Sequence, residues 1–183
     1  TLTQLSAPQF RQLFASPVAV QRLLAQALTW VQDTGAHGLH LDVEVYEPLP
    51  AKTLANYQHF VRQLAARLHA LPQPRQLSAF VPIGGEAPLY TPATLALLDG
   101  VVLQGYDAHW ADSAQAGPVA PLAGTERVTW QAALHQADRW GLPRLRVRMS
   151  FPLYGYEWPV RQPAARAATR GQGSTMSFAP LPP

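Results

Sequence analysis

The stretch His37-Gly38-Leu39-His40-Leu41-Asp42-Val43-Glu44 decides the reading of this chain. Successive side chains of a β-strand point to opposite faces, so Leu39, Leu41, Val43 and Val45 share one face while His40, Asp42 and Glu44 share the other. Burial of the apolar set drives the strand to form and so fixes where the polar set points. Its two carboxylates stand ~7 Å apart, a spacing at which repulsion and partial burial should raise the pKa of at least one. A carboxyl group still protonated near neutrality can act as a general acid. The plainer alternative is a strand end where acids meet solvent.

Upstream, Ser16-Pro17 reads as an N-cap with proline at the first helical position, and Val20, Leu23, Leu24, Ala27 and Val31 follow at helical spacing up to Gly35. Downstream, Leu54, Tyr57, Val61, Leu64, Leu68 and Leu71 form a second amphipathic helix that Pro72 ends. Leu77–Pro82 reads as a strand, Thr91-Pro92 opens a short helix through Leu98, and Val101–Asp107 is a third strand. A helix from about Thr125 to Trp140 leads to a fourth strand near Leu145 to Phe151. Strands alternating with helices predict βαβ units, hence a parallel α/β sheet whose ligand site lies at the carboxyl ends of the strands. Those ends carry Glu44, Asp107 and Tyr154.

This order of motifs resembles glycoside hydrolase family 18, the chitinase family. Residues 37–44 align with that family's D-G-x-D-x-D-x-E, keeping Asp42 and Glu44 and placing His37 and His40 where it has acids. Gln104-Gly105-Tyr106-Asp107 is similar to its M-x-Y-D, and Ser150-Phe151-Pro152-Leu153-Tyr154-Gly155 to its G-x-P-x-Y-G. The runs Tyr106–Trp110, Gly117–Pro121 and Tyr154–Trp158 look most like the branch of spore-germination and cortex-lytic N-acetylglucosaminidases.

The resemblance implies a (β/α)₈ TIM barrel of which this chain supplies about strands four to seven. A complete barrel needs about 250 residues, against 183 here. Residues 1–160 are assigned to this fragment or partial barrel, and 161–183 to a basic Ala/Pro/Gly-rich tail or loosely ordered segment. The resemblance also implies retaining, substrate-assisted hydrolysis of chitin or peptidoglycan, in which the 2-acetamido oxygen attacks the anomeric carbon and no enzyme nucleophile is needed. Glu44 would be the acid/base and Asp42 the partner of the acetamido N–H, with Tyr106, Asp107 and Tyr154 binding the same sugar. His109, Trp110 and Trp158 are candidate sugar-stacking residues, with local loop packing as the alternative reading of His109 and Trp110. No cofactor or metal is implied, and a cell-envelope or extracytoplasmic location is favoured.

The histidine at position 40 alters how Asp42 is held. A neutral His40 can donate to Asp42, and a charged one would pin it as an ion. Gln104 and Arg148 share parity with Tyr106 and Tyr154, which suggests a His40, Asp42, Gln104, Arg148 network beneath the site. Two other readings stay open: a glycan-binding module with weakened catalysis, and a barrel domain of a larger polysaccharide-handling protein.

Absence of cysteine excludes disulfides and thiol catalysis. The net charge of +3 comes almost wholly from arginine, Lys52 being the only lysine, and no nucleic-acid motif, membrane-spanning run or signal peptide is recognisable. The start at Thr1 leaves room for a leader upstream. His59, His69 and His135 lack metal-ligand spacing, Gly84-Gly85 reads as a turn, and Trp30, Trp130 and Trp140 are expected in the core.

Overall fold

The computed structural model describes residues 5–83 and 88–177, so the expected turn at Gly84-Gly85 lies outside the described residues. The chain opens with a helix that the sequence reading did not anticipate, α1 (Ala7–Ala15). A capping box starts it: the Ser6 hydroxyl accepts from the Gln9 N–H while the Gln9 side chain accepts from the Ser6 N–H at 3.0 Å. The next helix, α2 (Pro17–Thr34), begins and ends as its sequence predicts. The Ser16 side chain accepts from the Ala19 N–H at 3.3 Å, and Gly35 closes the helix at φ 66°, in the left-handed region that glycine tolerates.

Four strands and three helices follow in alternation: β1 (Gly38–Leu41), α3 (Ala51–His69), β2 (Gln76–Val81), α4 (Pro92–Leu95), β3 (Gly100–Leu103), α5 (Trp130–Arg139) and β4 (Val147–Met149). The strands form one parallel sheet in the order β1-β2-β3-β4. Helix α5 starts later than the expected Thr125, because Thr129 is its cap and accepts from the Ala132 N–H at 2.9 Å.

Alternation along the strands sorts the residues into two layers. Leu41, Leu77, Ala79, Val81, Val101 and Leu103 are buried beneath the helices, whose contact with the sheet runs chiefly through α3. Phe10 and Phe14 of α1 pack on Tyr57 and Phe60 of α3, centroids 5.3 to 5.4 Å apart between the helices, and close the outer side of that layer. The opposite face carries His40, Ser78 and Gly100 in register and Arg148 opposite Val102, with His40 and Arg148 exposed. Trp30, expected in the core, is 54% exposed, because it lies on the solvent side of α2 while Leu24 and Val31 face inward.

The segment after residue 160 is not a loose tail over its described part. β5 (Tyr154–Glu157) pairs antiparallel with β6 (Ser174–Ser177), and the chain between them docks on residues 111–116. Its bonds include Ala116 N–H to Ala167 O at 2.9 Å, Thr169 N–H to Ala114 O at 3.0 Å and Gly173 N–H to Ala111 O at 2.8 Å. Backbone pairing holds it where low side-chain hydrophobicity gave no signal.

Candidate active site

Asp42 and Glu44 follow directly on β1 and continue its alternation: Leu41, Val43 and Val45 are buried at 5%, 3% and 6%, so the acids between them turn to the uncovered side. Glu44 accepts a hydrogen bond from the Tyr46 hydroxyl. Burial, then the bond to Glu44 and its charge, push the Tyr46 phenol up in pKa, so it remains a donor. Tyr90, buried at 3%, reaches back from a position far along the chain and donates to the Val43 carbonyl at 2.8 Å. The peptide between the two acids is thereby fixed from beneath.

After β3 the chain runs Gln104-Gly105-Tyr106-Asp107. Gly105 is demanded by close approach: a Cβ there would lie 2.0 Å from the Ser150 carbonyl oxygen and 2.9 Å from the Trp130 indole nitrogen. That indole N–H donates to the Gly105 carbonyl at 3.1 Å, so Trp130 supports this turn besides belonging to α5. Asp107 adopts φ 59°, a left-handed conformation uncommon outside glycine. Its Oδ1 accepts from the hydroxyls of Tyr154 at 2.8 Å and Tyr156 at 3.3 Å, which hold it there.

The Tyr106 ring leans on Phe80 and Tyr154, with centroids 6.1 and 6.2 Å away. Its phenol is pushed up in pKa, first by burial and then by the charges of Glu44, Asp107 and Asp42. The Tyr154 phenol is raised too, by burial and then by its bond to Asp107. One hydroxyl thus stands in the field of all three expected acids, at the carboxyl ends of three strands. The structure brings together Asp42, Glu44, Tyr106, Asp107 and Tyr154.

Trp158 joins this group through Tyr156, centroids 5.6 Å apart, and its indole N–H donates to the Trp110 carbonyl at 3.0 Å. Trp110 itself is 42% exposed. His109 is held differently. Its Nε2 faces the Arg166 guanidinium at 3.1 Å and its Nδ1 the Pro118 carbonyl at 3.1 Å. A guanidinium can only donate, so Nε2 accepts and Nδ1 carries the proton toward the carbonyl. Both ring nitrogens are engaged in loop packing, with Arg166 continuing to Glu126.

The network expected beneath the site does not form. His40 Nδ1 pairs with the Ser78 hydroxyl at 2.8 Å, and Gln104 Oε1 accepts from the Ile83 N–H at 3.3 Å. Arg148 is exposed, its Nη1 lying 2.9 Å from where a Gly100 Cβ would be. Gly100 is in register with Ser78, the partner of His40, which leaves room for the guanidinium toward the amino ends of the strands, away from Asp42. His40 meets solvent over much of its side chain, but desolvation of the part turned to the sheet lowers its pKa below 6.5, while the Asp42 charge opposes that shift.

Sequence reasoning missed Tyr46, Tyr90 and Tyr156. Tyr46 and Tyr156 keep the parity of Glu44 and Tyr154, a signal that was there to use, whereas nothing local announces that Tyr90 reaches Val43. Among the described residues no cluster of His, Asp or Glu is placed to hold a metal ion, and no helix is long and apolar enough to cross a membrane.

The chain matches the family described as Glycosyl hydrolases family 18 over residues 3–179. No curated protein matches it. Among solved structures it is similar to a GH18 chitinase of Cycas revoluta in complex with (GlcNAc)3, at 24% identity and a TM-score of 0.81 over 94% of this chain and 55% of that one. A candidate sporulation-specific glycosylase of Bacillus subtilis, ydhD, gives 23% identity and a TM-score of 0.76 over 97% and 56%. A chitinase-like agglutinin of Robinia pseudoacacia gives 20% and 0.76 over 93% and 55%. At these identities the likeness is one of fold, a partial TIM barrel, and the chain spans about 55% of the length of the chitinase structure.

Proposed function

Because this chain belongs to glycosyl hydrolases family 18, we propose that it is the acid-bearing part of a retaining hydrolase of N-acetylglucosamine-containing glycans, of the peptidoglycan or chitin type. The observation that carries the reading is the placing of Asp42 and Glu44 on the uncovered side after β1, and of Asp107 after β3, where the Tyr154 hydroxyl holds it at 2.8 Å and Tyr154 packs on Tyr106. Glu44 protonates the leaving glycosidic oxygen while the substrate's acetamido oxygen closes on the anomeric carbon. Asp42 accepts the acetamido N–H and offsets the charge of the resulting oxazolinium ion, and the Tyr106 hydroxyl donates to the same group. Glu44, now a carboxylate, takes a proton from water as that water opens the ring, so anomeric configuration is retained.

Turnover of chitooligosaccharides and peptidoglycan fragments should fall in Glu44→Gln by about 10²–10⁴-fold, the worth of a positioned acid/base. Unchanged turnover would sink the assignment. The bond from His40 to Ser78 favours a second reading, a glycan-binding domain with weakened catalysis, since Asp42 then lacks an acidic neighbour at that position. Glycan binding without turnover in either protein would select it.

A further inference from the structure

The wall of the site continues past Tyr154. Tyr154, Tyr156 and Trp158 follow one another along β5, ring centroids 5.5 and 5.6 Å apart. Just beyond Trp158 the chain turns and comes back antiparallel: Val160 bridges Thr169, and the Arg170 N–H donates to the Pro159 carbonyl at 2.8 Å. Arg161 and Arg170 therefore stand on the two arms of one turn. With Gln162 and Thr169 they line an open depression of about 700 Å³.

Charge in this turn is one-sided. Arg166 is committed to Glu126 and His109, whereas Arg161 and Arg170 form no ion pair among the described residues. No acidic residue follows Glu157 in the sequence. Two permanently charged guanidiniums at the rim of a depression floored by Ala164, Ala167 and Ala168, with Gln162 and Thr169 as further polar groups, match a planar carboxylate, which they can grip by paired N–H bonds. The aromatic run from Asp107 to Trp158 fixes the depression relative to the acids, because Tyr156 binds Asp107 and Trp158 is tied to Trp110.

We propose that this depression is an anion subsite of the glycan site, taking a carboxylate borne by the sugar chain. The protein would then select acidic N-acetylated glycans over neutral ones. The inference rests on the hydrolase reading above and narrows its substrate class.

The test is calorimetric binding to the Glu44→Gln protein, which leaves its ligand intact. The probes are a tetrasaccharide of alternating N-acetylglucosamine and N-acetylmuramic acid, its methyl ester, and chitotetraose. The acid form should bind roughly tenfold tighter than the ester, about 1.4 kcal/mol of added pairing. In Arg161→Gln/Arg170→Gln that ratio should fall to about one, with ester and chitotetraose affinities within about twofold of the parent, which also reports an intact fold. Equal binding of acid and ester by the parent overturns the subsite alone. A ratio that survives the double substitution overturns it too, as does a double variant that loses all three ligands. Failure of every probe to bind the parent overturns the hydrolase reading with it.

Discussion

Tyr90→Phe removes one oxygen from a site that is 3% exposed and leaves the Val43 carbonyl without the donor that now stands 2.8 Å away. Loss of one partner of a buried pair costs about 1–3 kcal/mol, chiefly the desolvation of the group left behind. In a chain of 183 residues each kcal/mol moves Tm by about 2–4 °C, so a mid-range cost predicts a fall of about 4–8 °C. Burial raises the Tyr90 phenol in pKa, so it stays protonated and the effect should not depend on pH. The freed peptide also carries Asp42 and Glu44 on its two sides, and small misplacements of reacting groups cost about 10²-fold at worst. Calorimetry together with kcat and KM on a chitooligosaccharide tests both parts, with kcat expected to fall more than KM rises. Tyr46→Phe is the contrast: Tyr46 is 52% exposed and bonds Glu44, so its loss should leave Tm nearly fixed while altering the pH profile of turnover. A Tm for Tyr90→Phe indistinguishable from the parent would refute the claim that this hydroxyl holds the peptide between the acids.

Tyr154→Phe removes the shorter of two bonds to Asp107, 2.8 Å against 3.3 Å from Tyr156, and should lower kcat/KM by roughly tenfold, the worth of one bond to a charged group. Kinetics in which Tyr156→Phe costs more would reverse that ranking. Gly105→Ala sets a Cβ 2.0 Å from the Ser150 carbonyl oxygen, and the forced backbone shift should cost about 1–3 kcal/mol, seen as a lower Tm. A tolerated alanine would show that the close approach relaxes freely. His40 takes up a proton less readily in the folded state, because partial desolvation lowers its pKa from 6.5 against the opposing charge of Asp42. The unfolded chain takes that proton up as pH falls, so the contribution is whole above 6.5 and is lost below it. Tm measured against pH should fall less steeply on the acid side in His40→Gln, and identical acid limbs in the two proteins would remove His40 as the cause.

What was legible in the sequence follows from where the information sits. Strand order and the sided strand around Asp42 are local, since burial of Leu41, Val43 and Val45 sorts the acids outward whatever else the chain does. The caps at Ser16 and Gly35 are local as well. Arg148 failed as a parity argument because parity gives a face and not a direction along it. The empty space over Gly100 draws the guanidinium away from the acids, and only register shows that. The stretch after 160 failed for another reason: its order lies in backbone bonds to residues 111–116, which composition does not encode. His109 was open between stacking on a sugar and local loop packing, and Arg166, far away in sequence, is what its Nε2 meets.

That same Arg166 gives the later segment a part in the site. Asp107 pays for its left-handed backbone with strain of order 1–3 kcal/mol, which persists only where the surroundings over-determine it. Tyr154 and Tyr156 supply two restraints from β5, and β5 is itself held by β6. Between those strands, Arg166 ties His109 to Glu126, clamping the loop that leaves Asp107. The acid, its two tyrosines and the clamp form one closed path through segments far apart in sequence. Truncation after Tyr154 should therefore release Asp107 and lower sugar affinity even though the three acids remain. Affinity for chitotetraose unchanged by that truncation would show that Asp107 holds its conformation without the segment after Tyr154.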